Sequence, residues 1–345
     1  MNKTQQITVF QNNIFGICMM LLHAVALSVL YAVVKELTQE LSSNVIVFLY
    51  KFMILVCALP WCFYGGMRTL KTNRIWLHMS RGFLSVCGSL SMFYAIKHIG
   101  LSDVTAVAYL EQIVLLIVGI LYFKERATKT KIVAIIISFV GAIFIIKSEY
   151  FMRIYEASLG NSYNSSSEFN SFYIFVFMAI AFWSLNSTVI KILGKTEKTK
   201  VQLFYVMLFS CIIAFPIAFM DWAVATKIGV MDIKYPVSLV DFTELGLTWK
   251  HIGYIFVLAI CYFLHVIGHF KAFKHAELSV VVPFEYTRLV FAGILGYCFF
   301  SEVALPPSYI GYILIIISGV AIFRAEQKKR KKQRAQELEE EFDQA

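Results

Sequence analysis

Apolar runs roughly 20 residues long recur from one end of this chain to the other, the length a helix needs to cross the hydrocarbon core of a bilayer. Ten are readable: about 14–34, 44–63, 76–96, 101–122, 131–146, 171–192, 201–219, 250–270, 278–300 and 308–323. Ten spans would use roughly 200 residues, most of the apolar 59% of a 345-residue chain in which only 15% of residues are charged. No room remains for a soluble catalytic domain. The 31 Phe, 18 Tyr and 5 Trp exclude disorder. Continuous rather than alternating apolar runs exclude a β-barrel. The expected fold is an all-α membrane protein of ten transmembrane helices.

The net charge of +9 reports topology rather than a nucleic-acid partner, and none is expected. With the N-terminus in the cytoplasm, most of the 31 Lys and Arg fall on the inner side, including Arg68, Lys71, Arg74, Lys124, Arg126, Lys195 and Lys198. The link 301–307 carries no basic residue and falls outside, so both termini are expected to be cytoplasmic. All seven Cys lie in apolar runs without CxxC spacing, which reads as membrane-buried thiols rather than a disulfide framework. The first run exceeds a signal-peptide core and is taken as a permanent helix. Asn164-Ser165-Ser166 matches a glycosylation sequon, a tripeptide that composition alone explains in this Ser- and Asn-rich link. The tail 324–345 is basic and then acidic, a solvated inner anchor able to meet anionic lipid headgroups.

Sliding the chain by 177 residues lays Ala95, Lys97 and His98 on Ala272, Lys274 and His275, Tyr109 on Tyr286, and Glu125 on Glu302. Positions 95–127 give 12 identities in 33, and shared polar residues such as Lys-His are not explained by apolar composition. A weaker echo at 156 joins Ser28 and Lys35 to Ser184 and Lys191. The chain therefore divides into an N-terminal tail (1–13), a first five-helix repeat (14–146), an outer linker (147–170), a second five-helix repeat (171–323) and the charged tail. Five is odd, so the second repeat enters the membrane inverted, a construction that secondary transporters use to rock about a site at mid-depth.

Ionised groups at mid-depth cost about 2.5–3.5 kcal/mol on insertion scales and mark function. Glu111 lies about ten residues into the fourth span, and its repeat mate is Arg288. A carboxylate and a guanidinium in corresponding places suit a zwitterion: Glu111 or Glu285 facing its cation, Arg288 gripping its carboxylate. The structural alternative is that Glu285 and Arg288, three apart on one helix face, neutralise each other. Tyr109, Tyr286 and Trp183 offer rings for stacking, with Asn186 and Lys51 as further polar contacts; each ring is equally readable as packing. Pro283 opens the ninth span beside this cluster, and Arg81, near an inner end, is expected to snorkel to headgroups. His265 and His269, four apart, could serve a transition-metal carrier or simply line helix packing. Val266 directly after His265 excludes a zincin motif, and no GxSxG occurs, so no enzyme is expected. Leu193-Gly194-Lys195-Thr196 lacks the first Gly of a phosphate-binding loop, which is Val189, so transport is expected without ATP and without a cofactor.

Ten spans in two halves, with Phe123-Lys124-Glu125-Arg126 closing the fourth and Phe300-Ser301-Glu302 the ninth, resemble the EamA-type drug/metabolite transporter superfamily over about 14–323. Thr69 to Arg74 followed by His78 and Arg81-Gly82, and Pro283-Phe284-Glu285-Tyr286 with Leu289-Val290, are similar to the branch that includes S-adenosylmethionine uptake carriers of intracellular bacteria. Many relatives have Pro where this chain has Gln112. The resemblance implies a multi-pass protein of a bacterial inner membrane that takes up S-adenosylmethionine or a similar small molecule, with exchange against S-adenosylhomocysteine as one mode. Export of amino acids or related metabolites is the alternative.

Overall fold

The computed structural model describes residues 3–64, 66, 70–121, 129–159, 170–193, 197–219, 248–275, 284–321 and 324, and their regular structure is helical. Arg68, Phe123 to Arg126, Asn164, Gly194 to Thr196, Leu278, Ser279, Pro283 and the tail from 325 lie outside the described residues. The helices are α1 (Lys3–Glu40), α2 (Ser43–Phe63), α3 (Ile75–His98), α4 (Leu101–Ala108), α5 (Leu110–Leu121), α6 (Lys129–Ile146), α7 (Ser148–Ser158), α8 (Tyr173–Leu193), α9 (Thr199–Phe219), α10 (Trp249–His275), α11 (Thr287–Phe300) and α12 (Pro306–Ala321).

Among the described residues each expected apolar run carries a helix, the fourth α4 and α5 together. Among the described residues, five helices are long and apolar enough to cross a bilayer alone: Asn13–Glu40, Ser43–Phe63, Tyr173–Ile190, Thr199–Ala218 and Trp249–Ala272. They make the chain a multi-pass membrane protein. The other runs depart from simple spans for visible reasons. Helix α3 carries His78, Arg81, Lys97 and several Ser, α4 and α5 are interrupted at Tyr109, and α11 and α12 are short. The expected outer linker begins with a helix instead. Helix α7 turns 72° away from α6, with Tyr150, Ile154 and Tyr155 exposed among Glu149, Arg153 and Glu156, a composition that suits the membrane interface.

The chain forms two compact units, each drawing on both halves of the sequence. The first comprises Met1–Ala32, Ile99–Ile174 and Phe263–Ala345; the second comprises Val33–His98 and Phe175–Tyr262. In the second, α2 and α9 pack antiparallel, Phe48 against Phe215 at 5.5 Å and Phe63 against Phe204 at 5.8 Å between ring centroids. Pro60 and Pro216 sit inside these two helices near their ends, 156 apart, the same interval as the weaker sequence echo.

In the first unit α6 and α12 cross antiparallel. A Cβ on Gly141 would meet the Gly311 carbonyl at 2.9 Å, and Ser138 hydrogen-bonds Ser318. Only small residues let two backbones approach this closely. Helix α11 ends on Ser301 in the left-handed conformation (φ 54°), where the Glu302 N–H donates to Gly296 O at 3.0 Å. That turn sends the Glu302 carboxylate back to accept the Leu101 N–H at 2.7 Å, capping the start of α4. Glu302 is thus a helix-capping residue.

Candidate functional site

Tyr109 occupies the junction between α4 and α5. Its N–H donates to Ala106 O at 3.2 Å, and the Gln112 N–H donates to Tyr109 O at 3.1 Å, one tightened turn inside an otherwise continuous run. Its repeat mate Tyr286 stands at the N-cap of α11, where the Leu289 N–H donates to Tyr286 O at 3.1 Å. Both Tyr are buried, and their rings meet with centroids 4.9 Å apart and planes inclined at 49°. Because Leu101 lies near Glu302 and Tyr109 near Tyr286, α4 and α11 run antiparallel.

Around this ring pair the first unit assembles a polar network. The Tyr109 hydroxyl donates to Glu285 O at 3.1 Å, Gln112 Nε2 donates to Glu285 Oε1 at 3.1 Å, and the Tyr286 hydroxyl donates to Gln112 Oε1 at 3.5 Å. The Arg288 guanidinium lies 4.6 Å from the centroid of the Tyr109 ring, a cation–π contact. Ser28 Oγ holds the Arg288 carbonyl at 3.1 Å. Arg288 is only 8% exposed, and its Nε has no hydrogen-bond partner among the described residues. Glu111 is half-buried in the first turn of α5. The Glu111 and Glu285 carboxylates both act electrostatically on Arg288.

The expected alternative for the ninth span, mutual neutralisation of Glu285 and Arg288, operates only through space, each charge acting on the other without direct contact. No ion pair joins them; Glu285 turns to Gln112 instead and Arg288 to the Tyr109 ring. Gln112, noted in the sequence only as a departure from Pro, supplies both polar ends of the link between α5 and the start of α11. Gly319 escaped sequence reading altogether: a Cβ there would overlap the Tyr286 hydroxyl, so its lack of a side chain makes the room that Tyr286 fills.

The remaining expected residues belong to the second unit. Trp183 and Asn186 are half-buried on α8, and Lys51 is buried on α2. Trp183 packs on α3 at Gly88, where a Cβ would overlap the indole. Asn186 Oδ1 accepts from Arg81 Nε at 3.3 Å, and Lys51 Nζ donates to Ser85 Oγ at 3.0 Å. Arg81 does not snorkel outward: it is 7% exposed, and its guanidinium turns inward to Asn186 and Gln202 because those amides answer its donors.

His265 and His269 both face His23 of α1, with ring centroids 4.5 and 4.9 Å away. His23 Nδ1 lies 2.9 Å from His265 Nδ1. Gly268 lets α10 approach Met19 O at this point. Among the described residues no three His, Cys, Asp or Glu side chains are arranged to hold a metal ion.

Residues 14–147 match the EamA-like transporter family. Over 91% of its length the chain is 26% identical to the S-adenosylmethionine uptake transporter of Rickettsia felis, of which 94% is covered. It is 21% identical over 90% of its length to the pseudopaline exporter of Pseudomonas aeruginosa, of which 96% is covered. One crystal structure shares its fold with a TM-score of 0.53 at 13% identity, covering 93% of this chain and 98% of the other. The buried charges on interrupted helices, the five long apolar helices and the transporter-named relatives point to a transporter rather than an enzyme.

Proposed function

We propose that the protein is a secondary transporter that carries a small zwitterionic metabolite, S-adenosylmethionine before others, across a bacterial inner membrane by alternating access. Its ten spans form two inverted halves, 14–146 and 171–323, with both termini in the cytoplasm. Antiparallel packing of the corresponding pairs α2 with α9, α4 with α11 and α6 with α12 supports that inversion. The family match, ending at residue 147, supports the position of the first half.

The observation that carries the reading is the Arg288 cluster: a buried guanidinium with an unpartnered Nε, held over one of two apposed Tyr rings at interrupted helices. A guanidinium binds a carboxylate through two parallel hydrogen bonds. The ring pair offers faces to an adenine or a sulfonium, and Glu111 and Glu285 offer negative charge to an ammonium. Every group of the zwitterion thus has a counterpart in one neighbourhood. Trp183, Asn186 and Lys51 stay candidate substrate contacts of the second unit on their sequence positions. Interrupted helices suit this role, because a tightened turn can open or re-form at small cost while the flanking helices move as rigid bodies.

The test is uptake of labelled S-adenosylmethionine by cells expressing the chain. Saturable accumulation is expected in the wild type. It should fall about tenfold or more in Arg288→Gln and Glu111→Gln, since a charge-assisted contact contributes about 1.5–3 kcal/mol. The likeness to the pseudopaline exporter favours a second reading, export of amino acids or related metabolites. A wild-type chain that moves no S-adenosylmethionine but lowers intracellular amino acids decides for it.

A further inference from the structure

The second unit buries two cations for which the Arg288 cluster has no use. Lys51 on α2 is 4% exposed and Arg81 on α3 is 7% exposed. Ser85, which accepts from Lys51, is four residues after Arg81, so the two cations address one face of α3 at successive turns. Among the described residues all their hydrogen-bond partners are neutral: Ser85 Oγ for Lys51, Asn186 Oδ1 and Gln202 Oε1 for Arg81. The nearby carboxylate, Glu197, accepts from Thr72 Oγ1 at 2.7 Å and forms no ion pair with Arg81. An ammonium has three donors and a guanidinium five, and the three bonds formed here leave most of them unused. His78, one turn before Arg81 on the same face and fully buried, stacks on Tyr205, and neither of its ring nitrogens is hydrogen-bonded among the described residues.

Burying two positive charges beside neutral acceptors is unfavourable unless an anion completes the site. The neutral partners position both cations without neutralising them, as an anion receptor requires: a carboxylate in their place would compete with the ligand. We propose that Lys51 and Arg81 form an oxyanion-binding site in the second unit, taking a carboxylate or phosphate group, with His78 as an additional donor. The site takes in Lys51, a candidate substrate contact of the second unit, and does not depend on S-adenosylmethionine being the cargo. Free solute and lipid headgroup share this chemistry, and the experiment separates them.

Purified full-length protein in phosphatidylcholine nanodiscs is titrated calorimetrically with inorganic phosphate and, separately, acetate. Saturable binding of at least one anion is expected, weakened about tenfold by Lys51→Gln and by Arg81→Gln, the effect of losing one charge-assisted contact. Lys51→Arg should keep it. If the Gln variants do not fold, phosphate protection of wild-type Lys51 from amine acylation, read by mass spectrometry, gives the same answer. Discs containing phosphatidylglycerol that raise the unfolding temperature and abolish phosphate binding would support the site and assign it to a lipid phosphate. The proposal is overturned if neither anion binds in phosphatidylcholine discs or if the doubly substituted protein binds phosphate as the wild type does.

Discussion

Tyr109 serves the cluster in two ways that substitution can separate. Its hydroxyl fixes the Glu285 carbonyl at 3.1 Å, and its ring supports the Arg288 guanidinium at 4.6 Å. Tyr109→Phe removes only the hydrogen bond, worth about 0.5–1.5 kcal/mol, whereas Tyr109→Ala also removes the cation–π contact, worth up to about 2 kcal/mol when desolvated. The apparent KM for uptake is therefore expected to rise a few-fold in the first and by more than about tenfold in the second; equal effects would mean the ring does not support Arg288. Gly319→Ala tests the same pocket from behind. The added methyl must displace the buried Tyr286 hydroxyl, and transport should weaken while expression is retained. Sequence position alone singled out Glu111, Tyr109, Tyr286, Glu285 and Arg288. What it missed, Gln112 as the partner of Glu285 and Gly319 as the space behind Tyr286, depends on which helices become neighbours, and nothing in local spacing encodes that.

Helices here are positioned by close approach at small residues more than by long polar networks. The α6 and α12 crossing is the clearest case, because Gly141 and Gly311 place backbone against backbone. Gly311→Val would drive a side chain into the Gly141 carbonyl and is expected to destabilise the protein by about 1–3 kcal/mol, the usual cost of overpacking. Gly293→Val on α11, where a Cβ meets nothing within 4 Å, is the control and should cost far less. Thermal unfolding of the two variants in detergent checks this, and similar midpoints would rule out the close-packing account. Among the described residues every one of the ten apolar runs carries a helix, so element type was legible from hydropathy. Their interruptions were not, since the turn at Tyr109 and the 72° bend before α7 are set by what the helices pack against.

For the molecule as a whole, the proposed topology makes a prediction independent of substrate. With both termini inside, a thiol introduced as Thr72→Cys should react with an impermeant reagent in inverted membranes. One introduced as Val303→Cys, at a 70% exposed position, should react from the periplasmic side of intact spheroplasts. The reverse pattern for both would invert the orientation drawn from Lys and Arg. The sequence by itself determined that this chain lives in a membrane, that it is helical and that its two ends echo one another, because apolar length and repeated polar residues are properties of the chain read in one dimension. Only the tertiary structure decided that Glu302 caps α4, that Arg81 turns inward to Asn186 and Gln202, and that Glu285 accepts a hydrogen bond from Gln112. The physical reason is common to all three: a buried polar group must find a partner, and which partner is within hydrogen-bonding distance is fixed by helix packing between segments up to some 200 residues apart.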